Sequence, residues 1–199
     1  MIAPAHPVIY FVRHGQTDWN AEARLQGQTD IPINDRGRGQ ADRNGQRLLD
    51  LIGDVSGFDF VASPLIRTRE TMERARAAMH LPREAYRTDP RLMELNYGAW
   101  EGSTLAEIEA REPDALARRD LDKWNFLPPG PGAESYELLR QRVLPWLGSV
   151  TAPTICVTHG GVVRIAFVVF DGMAENKAAA LEIPQDRVLK LEAGRLAWL

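Results

Sequence analysis

The first clear pattern in the chain is Val8-Ile9-Tyr10-Phe11-Val12, five apolar residues, all β-branched or aromatic, with no polar position between them. Such a run predicts a strand buried on both faces, as in the middle of a parallel sheet. It ends at Arg13-His14-Gly15, and the polar stretch from Gln16 to Asp35 is too rich in Gly, Asn and Asp to hold one long helix. Asn34 or Asp35 can cap the next helix, which runs to about Ile52 with Ala41, Leu48, Leu49 and Ile52 as its apolar stripe. After Gly53 and Gly57, Phe58 to Ala62 reads as a second strand. Pro64 then stands where a helix begins, and Ile66 to Met79 continues it. Ala85 to Thr88 is a weak third strand, with Leu92-Met93-Glu94-Leu95 close behind.

The second half repeats the alternation. Thr104-Leu105-Ala106-Glu107 is a capping box opening a helix that should stop before Pro113. Pro128-Pro129-Gly130-Pro131-Gly132 is a loop, and Ser135 can cap the helix after it. Thr154 to Thr158 is another buried strand, and Gly161 to Phe170 is apolar nearly all round, hence a buried helix. Val188 to Leu191 and Leu196 to Leu199, parted by Ala193-Gly194, predict a terminal hairpin. Strands alternating with helices imply a three-layer α/β/α sandwich, its central sheet mostly parallel with an antiparallel edge strand.

Composition narrows this picture. A length of 199 residues suits a single domain able to bury on the order of 70% of its unfolded surface. Hydrophobic residues at 44% and charged ones at 26% exclude a disordered chain, and the net charge of −3 offers no basic excess for nucleic acid or anionic lipid. One cysteine, Cys156, excludes an internal disulfide and a Cys-rich zinc site, and inside its strand it reads as a small buried hydrophobe. The longest apolar run, Ile165 to Phe170, is far too short to span a bilayer, and the opening MIAPAHPVIYFV lacks the marks of a signal peptide. A cytoplasmic, metal-independent protein is the expectation.

Chemistry collects where strands end. The first strand ends in Arg13-His14-Gly15, the second runs through Ser63-Pro64 to Arg67, the third is trailed by Glu94, and the fourth ends in His159-Gly160-Gly161. Ligands of open α/β sheets bind beyond the carboxyl ends of the strands, so these residues can share one pocket. Two arginine forks match a dianionic group, and a neutral imidazole is a competent nucleophile. Gly160-Gly161 opens a helix whose N–H groups can bind an anion. Glu94 would serve as general acid and then general base, with no metal needed for the phosphoryl charge. Taken singly, each residue has a bland reading: a hydrogen-bonded structural histidine, a solvated arginine on a helix that also carries Arg69, Arg74 and Arg76, a loop carboxylate.

The wording of these segments goes further. Val12-Arg13-His14-Gly15-Gln16-Thr17-Asp18-Trp19-Asn20 resembles the signature of the histidine phosphatase superfamily, in its phosphoglycerate mutase-like branch. The segments Leu25 to Asn34, Ala62 to Thr71 (with Arg67), Leu92 to Gly102 (with Glu94), Pro129 to Ser135 and Val157-Thr158-His159-Gly160-Gly161 are similar to its later motifs, in the family's order. The resemblance implies a phosphoglycerate mutase-like fold, His14 as the nucleophile that becomes phosphohistidine, and Glu94 as proton donor and acceptor. It also implies Arg13, Arg67 and His159 as the phosphate pocket, with Asn20, Gln26, Gly27 and Gly160 contacting substrate. Gln16 stands where many members have Glu, and Ala133 where a second Gly is usual. No member of the catalytic set is missing.

Within the family, the short interval from Tyr97 to Thr158 favours a phosphatase acting on a small phosphorylated metabolite. The alternative is a cofactor-dependent phosphoglycerate mutase, for which alone 2,3-bisphosphoglycerate would be a cofactor. A non-catalytic module that binds a phosphorylated metabolite is a further alternative, and a homodimer is left open. The segment 97–132 is expected to fold over the pocket as an insertion. There Trp100, Trp124 and Phe126 could form an apolar wall and Arg118, Arg119 or Lys123 bind a second anion, but a small core of the insertion and a solvated face are the stronger readings. Arg164 reads as paired with an acidic neighbour, and His6 and His80 as surface residues.

Overall fold

The computed structural model describes residues 6–199; the reading of the opening segment rests partly on residues 1–5, outside that range. Six strands, β1 (Ile9–Arg13), β2 (Asp59–Ala62), β3 (Arg87–Thr88), β4 (Thr154–Thr158), β5 (Val188–Glu192) and β6 (Arg195–Trp198), form one sheet in the order β3-β2-β4-β1-β5-β6. The first four in that order run parallel, whereas β5 lies antiparallel to β1 and β6 to β5. The expected antiparallel edge strand is thus a two-stranded antiparallel margin. The third strand is only Arg87–Thr88. Both residues are exposed at the sheet edge; Ala85 is exposed as well, and Tyr86 packs against the core without joining the ladder.

Unbroken apolar runs pay off at the centre, because β1 and β4 face a core on each side. Ile9, Phe11 and Cys156 pack with α6 (Tyr136–Ser149), α7 (Gly160–Asp171) and α8 (Glu175–Ala180), through Leu139, Trp146, Val163 and Phe167. Tyr10, Val12, Ile155 and Val157 point the other way, onto α2 (Asp35–Ile52) and α3 (Ile66–Ala78), through Leu48, Met72 and Ala75. Period-two alternation of the strand side chains produces this division, and it makes the three layers.

Local signals set the helix ends. Asn34 accepts from the N–H of Gly37 to start α2, and Gly53, at φ 73°, ends it. Thr104 and Glu107 form the capping box of α4 (Leu105–Arg111), and Pro113 begins a separate helix, α5 (Pro113–Leu121). Ser135 caps α6 through the N–H of Leu138. A short helix, α1 (Asp18–Ala21), is capped by Thr17 with Asn20 closing the box. His6 departs from its surface reading. Its ring is half-buried, with Nε2 2.9 Å from the Leu147 carbonyl and its edge against Phe170. His80 is exposed.

Helices α2 and α3 approach closely at Gly45, where a Cβ would lie 2.4 Å from the Ala75 carbonyl oxygen. Ala normally stabilises a helix interior over Gly by about 1 kcal/mol. At Gly45 the backbone obstacle reverses that sign, and Gly45→Ala is expected to cost about 1–3 kcal/mol. Gly39→Ala on the same helix meets only the flexible end of Arg43, at 3.2 Å, and is expected to stabilise. Urea midpoints of the two variants, moving in opposite directions from wild type, check this.

Candidate active site

Three strand ends assemble the site. Arg13 stands opposite Thr158 in the β1–β4 ladder, so His14 and His159 emerge side by side despite their distance along the chain. The His14 N–H donates to the Thr158 carbonyl at 2.9 Å, and the two imidazole centres are 5.2 Å apart. Ser63 leaves β2 on the other flank of β4, its N–H on the Val157 carbonyl at 3.1 Å. Arg67 follows as the second residue of α3.

A cavity of about 160 Å³ lies beyond these ends, lined by Arg13, His14, Asn20, Gln26, Gly27, Arg67, Glu94 and Gly160. Eight of the nine residues expected in the site therefore line one cavity. His159 is buried beside it, against the His14 ring. Arg24, Leu25, Tyr97 and Arg164 complete the lining.

Hydrogen bonds fix the state of each group. Nδ1 of His14 is 2.8 Å from the Gly15 carbonyl, which can only accept, so the proton sits on Nδ1 and the lone pair on Nε2. Nε2 of His159 is 2.8 Å from Ser63 Oγ. That oxygen accepts from the Leu65 N–H, and with its own hydrogen turned to the imidazole the His159 proton would lie on Nδ1. Arg67 is wholly buried; its two terminal nitrogens donate to the carbonyls of Thr29, at 2.8 Å, and Gly27, at 2.6 Å. Arg13 donates to the Ile183 carbonyl at 2.6 Å. Among the described residues, nothing partners the buried Nε of Arg13, Nε of Arg67 and Nδ1 of His159. Unpaired buried donors are costly, and three of them meeting at one place suit an anion that would pair them.

Charge follows the same logic. Burial, then the nearby Arg67 and Arg13 guanidiniums, pushes His14 well below the usual imidazole range. Burial and the same cations, with His14, do so for His159. Arg67 falls to about 10, chiefly through burial. Glu94 is held at the start of α7, where Gly161 N–H donates to it at 3.0 Å while its own neighbour Leu95 donates at 2.9 Å. A Cβ at 161 would lie 2.1 Å from Glu94 Oε1, so a larger residue there would displace the carboxylate from this position. Among the described residues, no group of three or more His, Cys, Asp and Glu side chains could hold a metal ion, and no helix is long and apolar enough to cross a membrane.

Several residues had no sequence signal pointing to the site. Gln185, before β5, donates to the His14 carbonyl at 3.1 Å and to Asn20 Oδ1 at 3.0 Å. Arg164 corrects its expected pairing with an acid: its partners are the Leu181 carbonyl at 2.8 Å and the Tyr136 hydroxyl at 3.2 Å. Its spacing of one helical turn from Gly160 is the signal that places both on the cavity side of α7. The 97–132 aromatics form mostly their own core. Trp100 stacks on Phe126 at 5.1 Å and Trp124 on Tyr136 at 5.6 Å, both tryptophans fully buried. Arg118 is exposed, whereas Arg119 and Lys123 line a second, smaller cavity with Tyr97, Trp100, Phe126 and Tyr136. Burial and the cations Arg119 and Arg164 lower Lys123 to about 8.

This geometry has known counterparts. Residues 9–198 match the model of the histidine phosphatase superfamily, branch 1. The uncharacterized phosphatase PhoE of Bacillus subtilis is 31% identical over 169 residues, which is 82% of this chain and 77% of its own length. The probable phosphoglycerate mutase GpmB of Erwinia tasmaniensis is 31% identical over 197 residues, 96% of this chain and 87% of its own. Among solved structures, the mycobacterial glucosyl-3-phosphoglycerate phosphatase Rv2419c, in complexes with VO3, superposes with a TM-score of 0.76 at 25% identity, over 97% of this chain and 96% of that one. The chain belongs to the histidine phosphatase superfamily, branch 1, and its fold is phosphoglycerate mutase-like. Its phosphatase relatives support hydrolase activity.

Both buried imidazoles are expected to stay neutral at pH 6, with the proton on Nδ1, in ¹H–¹⁵N correlation spectra of the folded protein. Freed by unfolding, each would protonate near 6.5. As pH falls through 6.5, the unfolded state takes up protons that the folded state refuses. This contribution therefore lowers stability on the acid side and is absent above 6.5. A charged His14 or His159 ring at pH 6 would contradict the arrangement.

Proposed function

We propose that the chain hydrolyses a small-molecule phosphomonoester through a phosphohistidine on His14, without a metal or other cofactor. The observation that carries the reading is the fixed lone pair on His14 Nε2 beside three buried, unpartnered donors. The phosphoryl group would sit between Arg13, Arg67 and His159, whose N–H groups pair its oxygens. Nε2 attacks phosphorus as the ester P–O bond breaks, and protonated Glu94 gives its proton to the leaving oxygen. Water then attacks the phosphohistidine, Glu94 takes the water's proton, and the P–N bond electrons return to His14 with release of inorganic phosphate. Asn20, Gln26, the Gly27 backbone and Gly160 contact the substrate around this centre.

The names of relatives support a metabolite substrate: two are glucosyl-3-phosphoglycerate phosphatases, each about 31% identical or slightly below. GpmB supplies the second reading, phosphoryl exchange between 2- and 3-phosphoglycerate with 2,3-bisphosphoglycerate as cofactor.

Phosphate release from p-nitrophenyl phosphate and a panel of metabolite monoesters, with EDTA present, tests the proposal. Wild type is expected to release phosphate and His14→Ala to release none. Glu94→Gln is expected to slow turnover by about 10²–10⁴, most for poor leaving groups. Near-normal release by His14→Ala would overturn the mechanism, and loss to EDTA restored by a divalent ion would overturn its metal independence. Interconversion of phosphoglycerates without phosphate release would select the mutase.

A further inference from the structure

Glu101 lies outside the cavity lining, yet its carboxylate gathers four donors. Oε1 accepts from the N–H of Gln28 at 2.8 Å and of Tyr97 at 3.2 Å. Oε2 accepts from the N–H of Thr29 at 3.0 Å and from Thr29 Oγ1 at 2.5 Å. Three of the four belong to the loop 26–30, one wall of the cavity. At Gly27 the left-handed backbone, φ +52°, leaves no room for a side chain, since a Cβ would lie 1.9 Å from Glu101 Oε1.

The same loop governs Arg67. Its carbonyls at Gly27 and Thr29 take the two terminal nitrogens of the guanidinium. Asp30 Oδ1 takes the Ile66 N–H, at 2.6 Å, where α3 begins. No carboxylate is hydrogen-bonded to Arg67, so the plane of its fork, and the direction of its free Nε, is set by two backbone carbonyls.

We propose that Glu101 is a positioning residue, which holds the 26–30 loop so that Gly27 and Thr29 aim the Arg67 guanidinium at the phosphoryl group. The proposal rests on reading Arg67 as a phosphate ligand. A carboxylate suits the task because it offers acceptors on both oxygens and no donor. Glutamine in its place must turn an NH₂ toward either the Gln28 and Tyr97 N–H groups or the Thr29 donors, so one side of the clasp fails although the shape is kept.

A double-mutant cycle of Glu101→Gln with Arg67→Lys tests this, read as inorganic phosphate affinity by calorimetry and as kcat/KM. Glu101→Gln alone is expected to weaken phosphate binding and lower kcat/KM, each by about tenfold. In the Arg67→Lys background, where the planar fork is gone, the same change is expected to cost less than about twofold. Thr29→Ala, which removes one donor to Oε2, is expected to weaken phosphate binding by about two- to threefold, and it keeps the test open if the double variant fails to fold. Equal losses in both backgrounds, or wild-type phosphate affinity in Glu101→Gln, would overturn the proposal. Because binding is read without turnover, a coupled cycle in a wild type that releases no phosphate from any monoester supports this role while overturning hydrolysis.

Discussion

The ladder between β1 and β4 sets where chemistry can happen in this molecule. Both strands are covered on each face, so nearly every position inside them must be apolar. Polar side chains stand only on the outermost rungs, at Thr154, Arg13 and Thr158, and just beyond them, and register decides which ones meet there. With Arg13 opposite Thr158, the next residue on each strand is a histidine. Sliding the pairing by one residue would turn the core side chains inside out as well as part the histidines. Packing of the core and proximity of the imidazoles are therefore one constraint.

The arginines act twice. On the proposed function they supply donors for an anion, and their field, added to burial, disfavours charge on the two imidazoles. A neutral ring keeps its lone pair, so the groups that would hold a phosphoryl dianion also keep the candidate nucleophile reactive. Glu94 sits apart from this, in contact with the N-terminus of α7, where peptide N–H groups rather than cations hold its carboxylate.

Much of this was legible in the sequence, for physical reasons. The apolar run Val8–Val12 and the largely apolar, β-branched Thr154–Thr158 announce strands covered on both sides, and a histidine one or two residues past such a run has few places to go. Caps at Asn34, Thr104 and Ser135 are local, so their side chains could be read from neighbours alone. The third strand was overestimated because an edge position demands little of its sequence. Ser63, Glu101 and Gln185 escaped assignment because each acts on backbone groups or ring nitrogens far away in the chain, and such a bond leaves no spacing to count. Arg164 was misread because its charge suggested an acid, whereas a carbonyl and a phenol hold it.

The unpaired donors of the cavity also bear on how long the protein lasts. Arg13, Arg67 and His159 each keep a buried nitrogen that nothing among the described residues satisfies, so an anion that paired them would add to the stability of the fold. Any ligand that binds the folded state alone returns stability in proportion to the logarithm of its concentration, about 2.7 kcal/mol at a hundred times its dissociation constant. On the proposed function, resistance to heat and proteolysis would be tied to the supply of phosphorylated compounds around the protein. The chain would persist longest where its ligands are plentiful.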